Sequence, residues 1–202
     1  MKYAFIDVQN NDSTAFKTLG FVVDNRRLAN FLIENKKCDK IFLYPGIEIN
    51  DIEKKAEYEN ISSDKIIVRP KYYRIYKDKD TYIKSNCKKC DTEIVNRISG
   101  KTNYKCNCDV DLTIDMMDHM AKDNEILLFT GDGDFEYLIK RSIENGCKIK
   151  LISSNKSITR SDGSRQSRLS KKLQDMIKED QDNILFLELN NFKFSINKIF
   201  DK

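Results

Sequence analysis

Carboxylates are the side chains in this 202-residue sequence whose spacing most strongly suggests chemistry. Three separate stretches carry them. Asp7 stands in "FIDVQNN", followed by Asn10 and Asn11; "CDVDLTIDMMDHM" carries Asp109, Asp111, Asp115 and Asp118; and "TGDGDF" carries Asp132 and Asp134, each preceded by glycine. One aspartate at a helix start is explained by capping and by the positive end of the macrodipole. A second within the same turn adds repulsion, which calls for something cationic nearby. Asp111, Asp115 and Asp118 are spaced i, i+4, i+7 and share one helix face, whereas Asp109 precedes the first turn. Carboxylates gathered within a few ångströms raise one another's pKa unless a divalent cation offsets the charge. Oxygen-only ligands suit Mg²⁺ or Mn²⁺ and not zinc. Asp118 is read as surface, and the single histidine, His119, as structural or exposed.

The cysteines form a second constellation. Cys87 and Cys90 make a C-x-x-C pair, Cys106 and Cys108 a C-x-C pair, and Ser99, Gly100 and Lys101 between them read as a turn joining two short arms. Two close thiolate pairs separated by a hairpin-length loop predict a zinc-ribbon-like module at about 82–108, with one structural Zn²⁺ held by all four sulfurs. Cys38 and Cys147 lie beside strands and are read as inert, semi-buried thiols.

Net charge is only +4, so the distribution of cations is more informative than their sum. Arg69, Lys71, Tyr72, Tyr73 and Arg74 interleave cations for phosphates with rings for bases, and a tyrosine-rich strand with a solvated basic edge reads equally well there. Lys88, Lys89, Lys101 and Lys105 make the cysteine module basic. A third cluster runs from Lys156 through Arg160, Arg165 and Arg168 to Lys171 and Lys172. Stacking needs unpaired bases, so the expected partner is single-stranded RNA.

The elements that must position these groups alternate. Apolar runs at Tyr3 to Val8, Lys40 to Tyr44, Lys65 to Val68, Ile126 to Phe129, Lys148 to Ile152 and Ile184 to Leu189 read as strands, with a continuation of the third through Tyr76 left open. Helical spacing appears at Asp24 to Asn35, Asn50 to Asn60, Val110 to Ala121, Phe135 to Glu144 and Ser167 to Lys178. This order predicts an α/β fold: a parallel sheet with helices on both faces, ligands binding beyond the carboxyl ends of its strands. The length suits a single domain over 1–202, with the cysteine module inserted and a basic loop, helix and strand extension at about 155–202. No run is long enough to span a membrane, and the apolar start at Tyr3 leaves no room for a signal peptide, so a cytoplasmic protein is expected.

The motifs "FIDVQNN", "CDVDLTIDMM" and "TGDGDF", in this order and at these spacings, resemble the NYN domain, the PIN-like nuclease group that also contains the LabA-like proteins. The likeness runs from about Lys2 to about Ser153. It implies a PIN-like fold and a Mg²⁺- or Mn²⁺-dependent ribonuclease. The acidic site it implies falls on Asp7, Asp109, Asp132 and Asp134, with Asn10 as the polar residue after the first acid. Asp111 and Asp115, further along the same helix, are supporting candidates. Family members often carry Gly-Glu between the first acid and the asparagine, where this chain has Val8 and Gln9. The expected chemistry is metal-assisted hydrolysis of phosphodiester bonds by water, without a side-chain nucleophile. The alternative is a non-catalytic RNA-binding or regulatory protein that keeps the fold, with Val8 and Gln9 marking a weakened metal site.

Overall fold

The computed structural model describes residues 1–159 and 163–199. Arg160 of the third basic cluster lies outside them. In chain order the first elements are β1 (Lys2–Asp7), α1 (Val8–Thr14), α2 (Asn25–Glu34), β2 (Lys40–Tyr44), β3 (Gly46–Ile47), α3 (Ile52–Ile61) and β4 (Ile66–Val68). Four short strands follow, β5 (Lys71–Tyr72), β6 (Arg74–Lys77), β7 (Thr81–Asn86) and β8 (Glu93–Ile98), and then β9 (Thr102–Lys105) and α4 (Asp109–Asp118). The remainder comprises β10 (Glu125–Phe129), α5 (Glu136–Glu144), β11 (Lys148–Ser153), β12 (Ser157–Thr159), β13 (Arg165–Ser167), α6 (Lys171–Glu179), β14 (Ile184–Glu188) and α7 (Lys193–Ile196).

Six strands pair in the order β14-β11-β10-β1-β2-β4, every neighbour parallel. Strand alternation divides the apolar residues between two layers. Ala4, Ile6, Ile41, Leu43, Leu127 and Phe129 face a cluster completed by Leu28 and Leu32 of α2, Tyr58 of α3 and Ile196 of α7. Phe5, Phe42, Tyr44, Ile126, Leu128 and Leu151 face the other way, onto Leu112 and Met116 of α4, Leu138 of α5 and Leu173 of α6. Both sheet faces are therefore covered, as near-continuous apolar strands require. His119 is a packing residue: its ring stands edge-on to Tyr3 and Phe42 at 4.6 and 4.9 Å, and Nδ1 lies 2.7 Å from the Asp115 carbonyl. Cys38 and Cys147 are buried. Among the described residues no helix is long and apolar enough to cross a membrane.

Local rules set most boundaries as expected. Asp24 caps α2 by accepting from the Arg27 amide, and Asp51 caps α3 from Lys54. Two readings are corrected. The strand begun at Ile66 does not continue to Tyr76; it stops at Val68 before Pro70, which has no N–H, and the chain resumes as β5 against β3 and as β6 against β9. The helix expected from Ser167 starts at Lys171, because Ser170 supplies the cap to the Leu173 amide while Arg165–Ser167 pair with Ser157–Thr159. The short helices α1 and α7 carry no amphipathic repeat long enough to be read from sequence.

The cysteine module also differs. β6 pairs with β9 and β7 with β8, producing a two-stranded arm whose β7 and β8 residues are all exposed. Cys87 and Cys90 sit in the turn at its tip, and Cys106 and Cys108 at its root. Four register pairs in one segment and six in the other separate them, roughly 30 Å of strand. The four thiols do not converge, so the single Cys₄ zinc site expected from their spacing is not formed in this structure. An antiparallel pairing that starts at Arg74 and Lys105 carries the inner pair and the outer pair to opposite ends.

Gly131 accounts for part of the glycine-aspartate pattern. A β-carbon there would collide with the carbonyl oxygen of Arg168, and the Gly131 carbonyl accepts from the Ser170 amide at 2.9 Å. At Gly133 it would stand 2.8 Å from the Ser170 hydroxyl. The glycines thus admit the Arg168–Ser170 segment against the loop after β10. Gly131→Ala is expected to destabilise the fold by about 1–3 kcal/mol through overpacking, read as a lower denaturation midpoint. An unchanged midpoint would show that the contact is dispensable.

Candidate active site

The sheet changes direction of growth at β1: β2 lies on one side and β10 on the other. The loops leaving β1 and β10 therefore open a crevice at the carboxyl edge, the usual ligand position in such sheets. Asp7 ends β1 and Asp132 follows β10, while Asp109 opens α4, which packs across β1 and β2. All three line one cleft of about 360 Å³, together with Gln9, Asn10, Ser13, Tyr44, Tyr104, Lys105, Cys106, Cys108 and Arg168.

Hydrogen bonds hold the two loops in register. Asp7 accepts from the Asn10 amide at 3.1 Å and from the Thr130 hydroxyl at 3.4 Å. The Asn10 side-chain oxygen accepts from the Gly131 amide at 3.0 Å, and the Asp132 amide donates to Thr130 Oγ1 at 3.2 Å. Asn10 is thus a bridge between the loops. Asp132 also caps the following turn, accepting from the Asp134 amide at 3.0 Å. Asp134 is exposed and does not line the cleft, although its charge is felt at Asp109.

The electrostatics follow from burial and crowding. Desolvation, with the charges of Asp109 and Asp132, pushes Asp7 up to about 6 against the lowering effect of its hydrogen bonds. Asp109 is raised by desolvation and by the charges of Asp132 and Asp134. Arg168 and Lys105 bring opposing charge to the cleft; Arg168 is the more firmly held. Desolvation lowers its pKa, its Nη2 donates to Ser13 Oγ at 2.6 Å and its Nε to Thr14 Oγ1 at 3.3 Å. Neither partner is an acid, and among the described residues no carboxylate pairs with it, so the guanidinium charge is directed at the cleft.

Asp111 and Asp115 do not reach this cleft. Lys71 pairs with Asp111 at 2.9 Å; Arg69 forks onto Asp115 at 3.1 and 3.3 Å, and the Tyr44 hydroxyl donates to Asp115 at 2.9 Å. Their supporting role is corrected to anchoring the segment after β4 against α4, and Arg69 and Lys71 spend their charge in these pairs. Tyr73 packs its ring on Gly46, where a β-carbon would collide with it, and stands edge-on to Tyr104 at 6.1 Å. Tyr72 remains exposed, and with Lys71, Arg74, Lys105 and Asn107 it lines a second cleft of about 430 Å³. Lys105 lines both. Lys88 and Lys89 sit at the arm tip and Arg165 on β13, and none of the three lines the acidic cleft. Ser13 and Tyr104 carried no signal in the sequence, and Lys105 was read only as one cation of the cysteine module; the proximity of all three to the acids depends on tertiary placement. Sequence reasoning also missed Asp12, a carboxyl on α1 that burial pushes up to about 7.

Among the described residues no three His, Cys, Asp or Glu groups converge into a closed metal cage. The donor chemistry nonetheless fits a hard cation. Asp7, Asp109 and Asp132 offer oxygens only, repel one another, and line one open cleft; Mg²⁺ keeps several waters and needs only one or two carboxylates.

Asp7 and Asp12 titrate near 6 and 7 in the fold but near 3.9 when unfolded, so the native state holds their protons to higher pH. In chelator, stability should therefore fall as pH rises from about 4 to about 7. Asp7→Asn should melt higher than the parent at pH 7.5, and Mg²⁺ should raise the parent's melting temperature more than the variant's. A variant that melts lower, or an equal Mg²⁺ effect on both, would count against this account of the repulsion.

The comparisons agree with this architecture. The profile of the NYN domain matches residues 3–174. A crystal structure of a protein of unknown function, VPA0982 from Vibrio parahaemolyticus RIMD 2210633, aligns with a TM-score of 0.54 at 14% identity, over 94% of this chain and 93% of that one. That likeness concerns the fold alone. No curated protein matches the sequence. With the profile covering most of the chain, and the motif acids standing at the carboxyl edge of a parallel sheet, the chain belongs to the NYN domain family, within the PIN-like nuclease superfamily.

Proposed function

We propose that the protein is a divalent-metal-dependent endoribonuclease acting on single-stranded RNA. The observation that carries this reading is the joint lining of one cleft by Asp7, Asp109, Asp132 and Arg168, with a basic, tyrosine-bearing cleft beside it. Asp7, Asp109 and Asp132 would hold Mg²⁺ or Mn²⁺, with Asp134 adding negative potential from outside the cleft. Such an ion supplies charge neutralisation and a water acidic enough to act as nucleophile.

The chain's own groups do the rest. Arg168, oriented by Ser13 and Thr14, presents a guanidinium suited to a phosphate oxygen. Lys105 stands between the two clefts and can carry the backbone from one to the other, while Arg74 holds an adjacent phosphate. Tyr72, half exposed, offers a face to an unpaired base. Asn10 acts through the Gly131 amide and fixes the spacing of Asp7 and Asp132, which makes it a positioning residue.

A second reading, RNA binding without cleavage, is favoured by two observations: among the described residues the acids do not close into a three-ligand cage, and Gln9, an amide, lines the cleft where the family resemblance implies an acid. Labelled single-stranded RNA and DNA incubated with Mg²⁺, Mn²⁺ or chelator distinguish the two. Cleavage of RNA with metal alone is expected, and Asp132→Asn should reduce it roughly 100-fold or more while the protein stays folded. Retention of RNA with no cleavage under any metal would establish the second reading. Arg74→Ala and Lys105→Ala should each lower the slope of log affinity against log salt by about 0.7, whereas Tyr72→Ala should weaken binding at nearly constant slope. Equal slopes for all three would remove the basic cleft from the RNA path.

A further inference from the structure

The inner cysteine pair has no role in the chemistry above, yet it stands inside the acidic cleft. Cys106 Sγ and Cys108 Sγ are 2.9 Å apart. A disulfide needs about 2.05 Å, so the two sulfurs lie within an ångström of bonding. Cys106 is partly exposed and lines the cleft, whereas Cys108 is buried behind it with its thiol toward the Pro45 carbonyl at 4.0 Å. No third ligand joins them among the described residues, which argues against a metal as their purpose.

Their position couples the pair to the acids. Cys108 is the residue before α4, its carbonyl accepts from the Leu112 amide at 3.0 Å, and the next residue is Asp109. We propose that Cys106 and Cys108 form a reversible intrachain disulfide that shifts the first turn of α4 and carries Asp109 with it. The co-reactant is a low-molecular-weight disulfide such as oxidised glutathione. The accessible Cys106 thiolate attacks one of its sulfurs, forming a mixed disulfide and releasing one small thiol. The Cys108 sulfur, its proton passing to solvent, then attacks the Cys106 sulfur and releases the second. Two protein thiols are oxidised and one small disulfide is reduced to two thiols, which balances the exchange. With one residue between them the cysteines close a very small ring, so the bond gains little from loop closure and is strained, hence readily reduced. Bond formation draws Cys108 Sγ toward Cys106, and a ring this small passes the shift to the backbone at the helix start.

The test uses the full chain, with and without Cys87→Ser/Cys90→Ser, equilibrated in glutathione buffers from fully reduced to fully oxidised. Intact mass and peptide mapping should show loss of two hydrogens across Cys106 and Cys108, reversed by dithiothreitol. Cys108→Ser should instead trap a glutathione adduct on Cys106. Amide hydrogen exchange over the first turn of α4 should be roughly 10-fold faster in the oxidised form. These readouts are independent of the ribonuclease reading, so either proposal can fail alone. A persistent glutathione adduct on the parent, or no oxidation of this pair in the most oxidising buffer, overturns the disulfide. A Cys106–Cys108 bond with unchanged exchange in α4 overturns the coupling to Asp109.

Discussion

Parallel pairing of β1 with β10 is the constraint on which the rest of the molecule depends. Lys2 lies opposite Glu125 and Ile6 opposite Phe129, so both strands end at the same level and both following loops enter one space. Each loop brings an aspartate, and two carboxylates sharing a partly desolvated crevice oppose ionisation. The fold accommodates this locally through amides, the Thr130 hydroxyl and the Asn10 bridge. It also brings Arg168 into the same cleft from far along the chain. The carboxyls are held together by backbone pairing that does not yield to their repulsion.

The two apolar layers make that rigidity possible. Alternate residues of β1, β2 and β10 are committed to opposite helix layers, so a one-residue slip would turn both layers inside out. Fixed register fixes the loop starts. The segment Arg168–Ser170 adds a closing contact on the glycines of the loop after β10, tying the basic C-terminal part of the chain to the acidic loop. The charges on α4 divide in the same way. Asp109 turns into the cleft, while Asp111 and Asp115 bind Lys71 and Arg69 and hold the root of the arm against the body.

Much of this was legible in the sequence. Apolar runs bounded by turn residues revealed all six strands of the main sheet, because a strand buried on both faces must be apolar nearly throughout. Asp24 before a helical repeat marked the start of α2, because capping is a contact within one turn. The strand and cap signals are local, and local interactions survive any rearrangement of the remainder. Of the acids that the likeness of three motifs to the NYN domain singled out, Asp7, Asp109 and Asp132 line one cleft with Asn10, and Asp134 stands outside it.

Long-range contacts decided the rest. Whether Asp111 and Asp115 face the cleft depends on which cations lie across from α4, and the i, i+4 spacing is silent about that. Four cysteines in two close pairs have the spacing of one metal site, yet antiparallel pairing of β6 with β9 and β7 with β8 separates the pairs along an arm. Arg168 reads in the sequence as one cation in a basic run, and only the contact of Gly131 with its carbonyl shows why it, and not Arg165, enters the cleft. The sequence by itself determined the layers through periodicity and turn chemistry and put the motif acids at strand ends and a helix start; tertiary structure alone decided which charges meet, because electrostatic pairing depends on distance in space and not on separation along the chain.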